Sequence, residues 1–155
     1  MQSFDEQLQQ LVDAALREDL GDGDHSTLSC IPTEAKGKAV LKIKQDGILA
    51  GIAVAETIFH YKEPEAIFTP LKQDGASMVF GEKAFEVTAS VHTILQCERL
   101  VLNCMQRMSG IATKTREFVD RIAHTHCKVL DTRKTTPNFR FFEKEAVRIG
   151  GGVNH

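Results

Sequence analysis

The feature that most limits what this chain can fold into lies near its C-terminal end. There Lys128-Val129-Leu130 reads as a short apolar strand, and Asp131-Thr132-Arg133-Lys134-Thr135-Thr136-Pro137 as a polar loop. Phe142, Ala146 and Ile149 then mark one face of a helix, Gly150-Gly151-Gly152 ends it, and Val153 opens a second strand. Strand, loop, helix and strand in that order begin a parallel α/β structure, because parallel neighbours need a crossover between them. One such unit cannot close a barrel and leaves an apolar strand without a neighbour on one side. The native protein is therefore expected to continue past His155.

The preceding residues read differently. Ser3 and Glu6 fit a capping box, and Phe4, Leu8, Leu11, Val12, Ala15 and Leu16 recur at helical spacing up to Gly21. Ala39, Leu41 and Ile43 alternate with lysines as in a half-buried strand that ends at Asp46-Gly47. Ile52, Ala55, Ile58 and Phe59 predict a short helix, and 66–71, 77–80 and 85–91 predict strands joined by tight turns. Helical spacing returns from about Thr93 to Met108, and Ser109-Gly110 is expected to break it, since Gly costs about 1 kcal/mol in a helix interior. The domain boundary is placed at that pair. Residues 1–108 form an α+β N-terminal sandwich domain in this reading, and 109–155 begin an open, incomplete α/β barrel.

A chain of 155 residues can bury a core without disulfides or metals. No run approaches the roughly 18 apolar residues of a membrane span, and MQSFDEQLQQ has neither the basic start nor the apolar centre of a secretion signal, so a cytoplasmic location without membrane contact is expected. Cys30, Cys97, Cys104 and Cys127 show no C-x-x-C spacing and read as reduced structural thiols. The net charge of −2 excludes a strongly basic nucleic-acid binder but conceals an asymmetry. Residues 128–155 carry six Lys/Arg against three Asp/Glu, whereas 1–127 carry thirteen against eighteen. An anionic ligand is expected at the basic end.

Arg133 and Lys134 follow a predicted parallel strand, where α/β folds place their ligand-binding loops. Arg offers a planar fork for carboxylate or phosphate and Lys a mobile point charge, so with Thr132 they suit a multiply charged anion. On these residues alone, a solvated loop with an exposed charge pair is an equal reading. Arg99, in a largely apolar helix beside Glu98, reads first as a surface Arg paired with an acid. His155 follows a glycine turn where backbone can approach a ligand, which alone decides nothing. His124, His126 and Cys127 make an incomplete set for zinc, and no metal site is assigned in the chain.

Glu98-Arg99, Leu102-Asn103, the run from Gln106 to Thr113, Leu130 to Pro137, Glu143-Lys144, Ala146-Val147-Arg148 and Gly150 to His155 resemble quinolinate phosphoribosyltransferases in order and spacing. Glu18-Asp19-Leu20-Gly21 and Leu49-Ala50-Gly51 agree with the resemblance, which covers essentially the whole chain. It implies transfer of phosphoribose from phosphoribosyl pyrophosphate to quinolinate with decarboxylation, assisted by Mg²⁺ whose ligands lie outside this chain. It implies a homodimer with shared active sites. Arg99 would reach the partner's quinolinate, while Thr132, Arg133, Lys134 and His155 line the anion pocket, with Arg133 and Lys134 as the catalytic cations. The 155-residue chain alone is expected to be inactive. A related pyridine phosphoribosyltransferase, or an inactive fragment or dimerisation module, are the alternatives.

Overall fold

The computed structural model describes residues 4–155, and its spine is a single helix, α4 (Val91–Ile122). Its 32 residues rise about 48 Å at the standard 1.5 Å each. Cys97, Val101, Cys104, Met105, Met108, Ala112 and Thr115 are buried along its inner face. The break expected at Ser109-Gly110 does not occur. Gly110 faces open space, while Ser109 Oγ accepts from Ala50 N (2.9 Å) and donates to Ala50 O (3.1 Å). Burial of residues on both sides of the pair outweighs a local propensity cost of about 1 kcal/mol. Val91, expected to end a strand, begins this helix instead.

Around the first half of α4 lie α1 (Phe4–Leu20), α2 (His25–Cys30), α3 (Ile52–Lys62), β1 (Lys36–Lys42), β2 (Gly47–Ile48), β3 (Ile67–Pro70), β4 (Ser77–Met78) and β5 (Lys83–Ser90). The capping box read at Ser3 and Glu6 involves Ser3, which lies outside the described residues. Helix α1 buries Leu8, Val12 and Leu16, the residues that its spacing selects. Helix α2 was not anticipated; Asp24 caps it by accepting from Thr27 N (3.2 Å).

Strand β5 is the centre of an antiparallel sheet ordered β1-β5-β3, with Ala39 opposite Val87 and Leu41 opposite Phe85. That register sends the apolar set of each strand to one face, as their alternation requires. The rings of Phe59, Phe68 and Phe85 meet behind the sheet, with centroids 4.6 to 6.2 Å apart. β2 and β4 make a separate two-stranded pair. β4 stops at Met78, short of the expected Phe80, because Val79 N is taken by Glu82 Oε2 (2.8 Å) and Phe80 N by Asp46 Oδ1 (2.7 Å) in a turn.

Beyond α4 the chain turns at 123–127 and extends to Leu130, which forms a single parallel bridge with Val153. Val153 N donates to Val129 O (2.8 Å) and Asp131 N to Val153 O (3.1 Å). The pairing is parallel, as the strand–loop–helix–strand order requires, but the expected strands contract to that bridge. Between them α5 (Arg140–Ile149) packs Phe142 and Ala146 into the core. A Cβ on Gly150 would lie 2.5 Å from Ala112 O, so the end of α5 touches α4 backbone. The result is a mixed α/β fold with a sheet that does not close. Among the described residues no helix is long and apolar enough to cross a membrane.

Candidate functional site

The loop between Leu130 and α5 is held at both ends by buried carboxylates. At its start, Asp131 accepts from Lys144 Nζ and from His155 N (2.8 Å to Oδ1). With its amide nitrogen turned toward these acceptors, Asn154 also donates to Asp131 Oδ2 (2.9 Å) and to Lys144 O (3.0 Å). At its end, Glu143 accepts from Thr136 N (3.2 Å), Thr136 Oγ1 (2.8 Å), and Arg107 Nε (3.0 Å) and Nη2 (2.7 Å). Burial alone would raise both carboxyls, but these donors hold Asp131 and Glu143 below the ordinary carboxylate range. Each acid is therefore charged and already neutralised.

Inside the loop Lys134 N donates to Thr132 Oγ1 (3.2 Å), Thr135 N donates to Arg133 O (3.1 Å), and Arg140 Nε donates to Thr135 Oγ1 (3.1 Å). Asn138 takes a positive φ of 62° just before α5. Thr132 and Lys134, with Arg107, Glu143 and Lys144, line a cavity of about 270 Å³. Among the described residues no carboxylate forms an ion pair with Arg133 or Lys134. His155 is brought to the same place by its backbone bond to Asp131. Four of the expected residues thus gather at one end of the molecule.

Arg99 does not join them. It projects from α4 with 75% of its side chain exposed and pairs with Asp19 of α1 at 2.8 Å. It lies eight residues before Arg107, about 12 Å along the helix axis. Arg107, Glu143, Lys144 and Asp131 received no role from sequence reasoning. One signal for Glu143 was available: it sits between Phe142 and Ala146 on the apolar side of a helix, where a charge needs a partner.

A larger cavity, about 510 Å³, lies between the end of β1 and α4 beside Leu41, Ile43, Leu102 and Met105, and none of the expected residues lines it. Cys97 and Cys104 are free thiols pushed up by burial to about 12 and about 11, which makes them poor nucleophiles. His124, His126 and Cys127 are exposed. Among the described residues no three His, Cys, Asp or Glu side chains form a group that could hold a metal ion.

A sandwich of helices and antiparallel strands, leading through one long helix into a parallel βα unit with a cationic loop, defines a mixed α/β protein with an unclosed sheet. Residues 24–109 match the family model described as the N-terminal domain of quinolinate phosphoribosyl transferase, and residues 111–155 match its C-terminal domain. The chain belongs to the quinolinate phosphoribosyltransferase family. It is 44% identical over 149 residues to the chloroplastic nicotinate-nucleotide pyrophosphorylase [carboxylating] of rice, covering 96% of this chain and 40% of that protein. It is also 44% identical to the mitochondrial quinolinate phosphoribosyltransferase [decarboxylating] 2b of Nicotiana tabacum, covering 96% of this chain and 42% of the relative. The crystal structure of NadC from Streptococcus pyogenes superimposes with a TM-score of 0.94 at 39% identity, over 100% of this chain and 55% of that one. The chain therefore spans about two fifths of the length of these curated relatives.

The two plant relatives correct the cytoplasmic expectation. Their names place them in chloroplasts and mitochondria, so membership of this family does not imply the cytoplasm. The character of MQSFDEQLQQ is no substitute for that finding.

Proposed function

We propose that the protein carrying this chain transfers phosphoribose from phosphoribosyl pyrophosphate to quinolinate with loss of CO₂, giving nicotinate mononucleotide and pyrophosphate. The observation that carries this reading is the contrast between the cations in the loop and those on the helices around it. Lys144 and Arg107 are spent on Asp131 and Glu143, whereas Arg133 and Lys134 keep their charge without an acidic partner among the described residues. A site built to hold two anions against their mutual repulsion needs such cations. As the leaving pyrophosphate gains charge and the ribose carbon becomes oxocarbenium-like, fixed positive groups stabilise the transition state more than the ground state.

In this reading Arg133 grips a carboxylate or phosphate with its fork, Lys134 and Thr132 complete the contact, and His155 closes it from just beyond the Leu130–Val153 bridge. Arg99 serves the other subunit of a homodimer. Its single exposed bond to Asp19 is of the kind worth about 0–1 kcal/mol, so little opposes its transfer to a ligand across an interface. Quinolinate has two carboxylates, and a site with both Arg99 and Arg133 favours it over a monocarboxylate pyridine. The division into units 1–108 and 109–155 belongs to the same proposal, and the two share α4.

Mg²⁺ accompanies phosphoribosyl pyrophosphate in this reaction class, but the residues here do not fit it. Asp131 and Glu143, the acids at the loop, are saturated by Lys144 and Arg107.

The test is subunit complementation. Arg99→Ala and Arg133→Ala should each abolish quinolinate-dependent pyrophosphate release while leaving the fold intact, each by about 10²–10³-fold. Mixing the two variants should restore part of the activity through hybrid dimers with one intact site. No rescue after demonstrated subunit exchange would remove the shared site, and full activity in Arg133→Ala would remove the anion loop.

A further inference from the structure

We propose that Glu143 is a positioning residue for the anion loop, holding residues 132–136 in one shape by accepting bonds from Thr136 and Arg107 together. The inference rests on the reading of Thr132, Arg133 and Lys134 as the anion-binding segment. A buried Glu–Arg pair between two helices could serve stability alone, and then its bonds would run from α5 to α4. Here they do not. Two of the four donors to Glu143 belong to Thr136, through its backbone N and its hydroxyl, and Arg107 Nη2 reaches the same hydroxyl at 3.3 Å. The carboxylate, the guanidinium and the loop therefore form one closed set of bonds, with the loop as a full member.

The position in the chain explains why the set is needed. Residues 131 to 139 form irregular backbone, with Pro137 and the left-handed Asn138 at its end, so no ladder of backbone bonds fixes it. Asp131 ties the start of the loop to Lys144 and His155, and Glu143 ties the end. The stacked rings of Phe139 and Phe142, 4.8 Å apart, hold Glu143 itself in register on α5. Arg107 completes the device by neutralising Glu143, so that the carboxylate does not compete with a ligand for Arg133 and Lys134. Cations on a loop this exposed bind an anion well only if their spacing is set beforehand.

The experiment separates positioning from mere stability. In the protein that carries this chain, Glu143→Leu leaves Arg107 without its acid and should lower both the melting temperature and kcat/KM. Combining it with Arg107→Leu removes the unpaired charge, and the double variant should recover most of its melting temperature, since apolar replacement of a buried pair is often neutral. Its kcat/KM for quinolinate should nevertheless stay depressed by about 10²-fold, the scale of a misplacement of about 1 Å. A double variant with native kcat/KM overturns the proposal. Should that variant fail to fold, Thr136→Val removes only the hydroxyl and buries no charge. A fall of about fivefold in kcat/KM is expected there, and none at all overturns the proposal equally. Arg133→Ala, assayed in parallel, keeps the two levels apart. If it is fully active, the anion-loop reading has failed and Glu143 with it; if it is dead while the double variant is native, only the role of Glu143 has failed.

Discussion

The segments before and after the end of α4 are held together by different forces. Before Ile122, oily surfaces do the work: α1, α3, β5 and α4 contribute Leu8, Val12, Ile58, Phe59, Val87, Cys97 and Met108, all nearly inaccessible to water. After it, Phe142 and Ala146 are the buried apolar side chains described, and Leu130 and Val153 remain 58% and 40% exposed. Order in that second region comes from Asp131, Glu143 and the close approach of Gly150 to α4. The difference follows from what each region must do. Apolar packing fixes a shape by excluding water, but a loop whose cations must meet a soluble anion has to stay wet, so charged bonds from beneath hold it instead.

The largest apolar link between the two regions is Phe142. Phe142 is 1% exposed and touches the rings of Phe4, Phe139 and Phe141. Phe142→Ala should cost about 3–5 kcal/mol. If the two regions are held separately, amide exchange should quicken across 128–155 while α3 and β5 keep their protection. Equal loss in both would mean that they form one cooperative unit.

The elements of the first region were legible for a physical reason, although the sequence reading set its boundary at Ser109-Gly110 and not at the end of α4. Period two in Ala39, Leu41, Phe85 and Val87, and period 3.6 in Leu8, Val12 and Leu16, report burial on one face, and burial is what built the first region. The placement of Thr132, Arg133 and Lys134 in a loop after a parallel-paired segment was legible from the strand–loop–helix–strand order, whereas a ligand role for them came from the family resemblance. Three things were not. The continuity of α4 through Ser109-Gly110 depends on Ala50, 59 residues away in sequence, whose backbone takes up the Ser109 hydroxyl. The contraction of two strands to one bridge depends on neighbours that periodicity cannot supply. The roles of Arg107 and Glu143 depend on a pairing across 36 residues, which a single sequence does not reveal.

A smaller effect should sharpen the contrast at the helix crossing. A methyl on Gly150 would meet Ala112 O at 2.5 Å and Thr115 Cβ at 2.7 Å, and backbone cannot give way as a side chain can. Gly150→Ala should therefore cost about 1–3 kcal/mol and push the end of α5 off α4. Gly110→Ala, on the same α4 but facing open space, should be neutral or stabilising by up to about 1 kcal/mol. Thermal melts of the two variants give the comparison; a Gly110→Ala protein as damaged as Gly150→Ala would show that α4 does bend at the pair after all.

Acid should produce the mildest effect and the most selective one. Asp131 and Glu143 have carboxyls held below their ordinary values, against the burial that opposes their charge. A group with a lowered folded-state value stabilises the fold fully above its unfolded value, about 3.9 for Asp and 4.3 for Glu, and loses that contribution as pH falls through the folded one. The same direction holds for Asp24, Glu82, Glu86 and Glu117 in the first region, but Lys38 and Lys114 lie at the surface, Lys72 is half-buried, and Asp24 serves only to cap α2 through the buried Thr27. Lowering the pH from about 5 to about 3 should thus release the loop while the apolar core persists. Protonated Glu143 would no longer hold Arg107, and protonated Asp131 would no longer hold Lys144. Amide exchange at Thr136, Glu143 and His155, whose N–H groups or neighbours depend on these acids, should accelerate over that interval, while the amides of Ile58 and Val87 keep their protection. Loss of protection in both sets at the same pH would show that charge supports the whole molecule, and the distinction between a packed region and a clamped one would not stand.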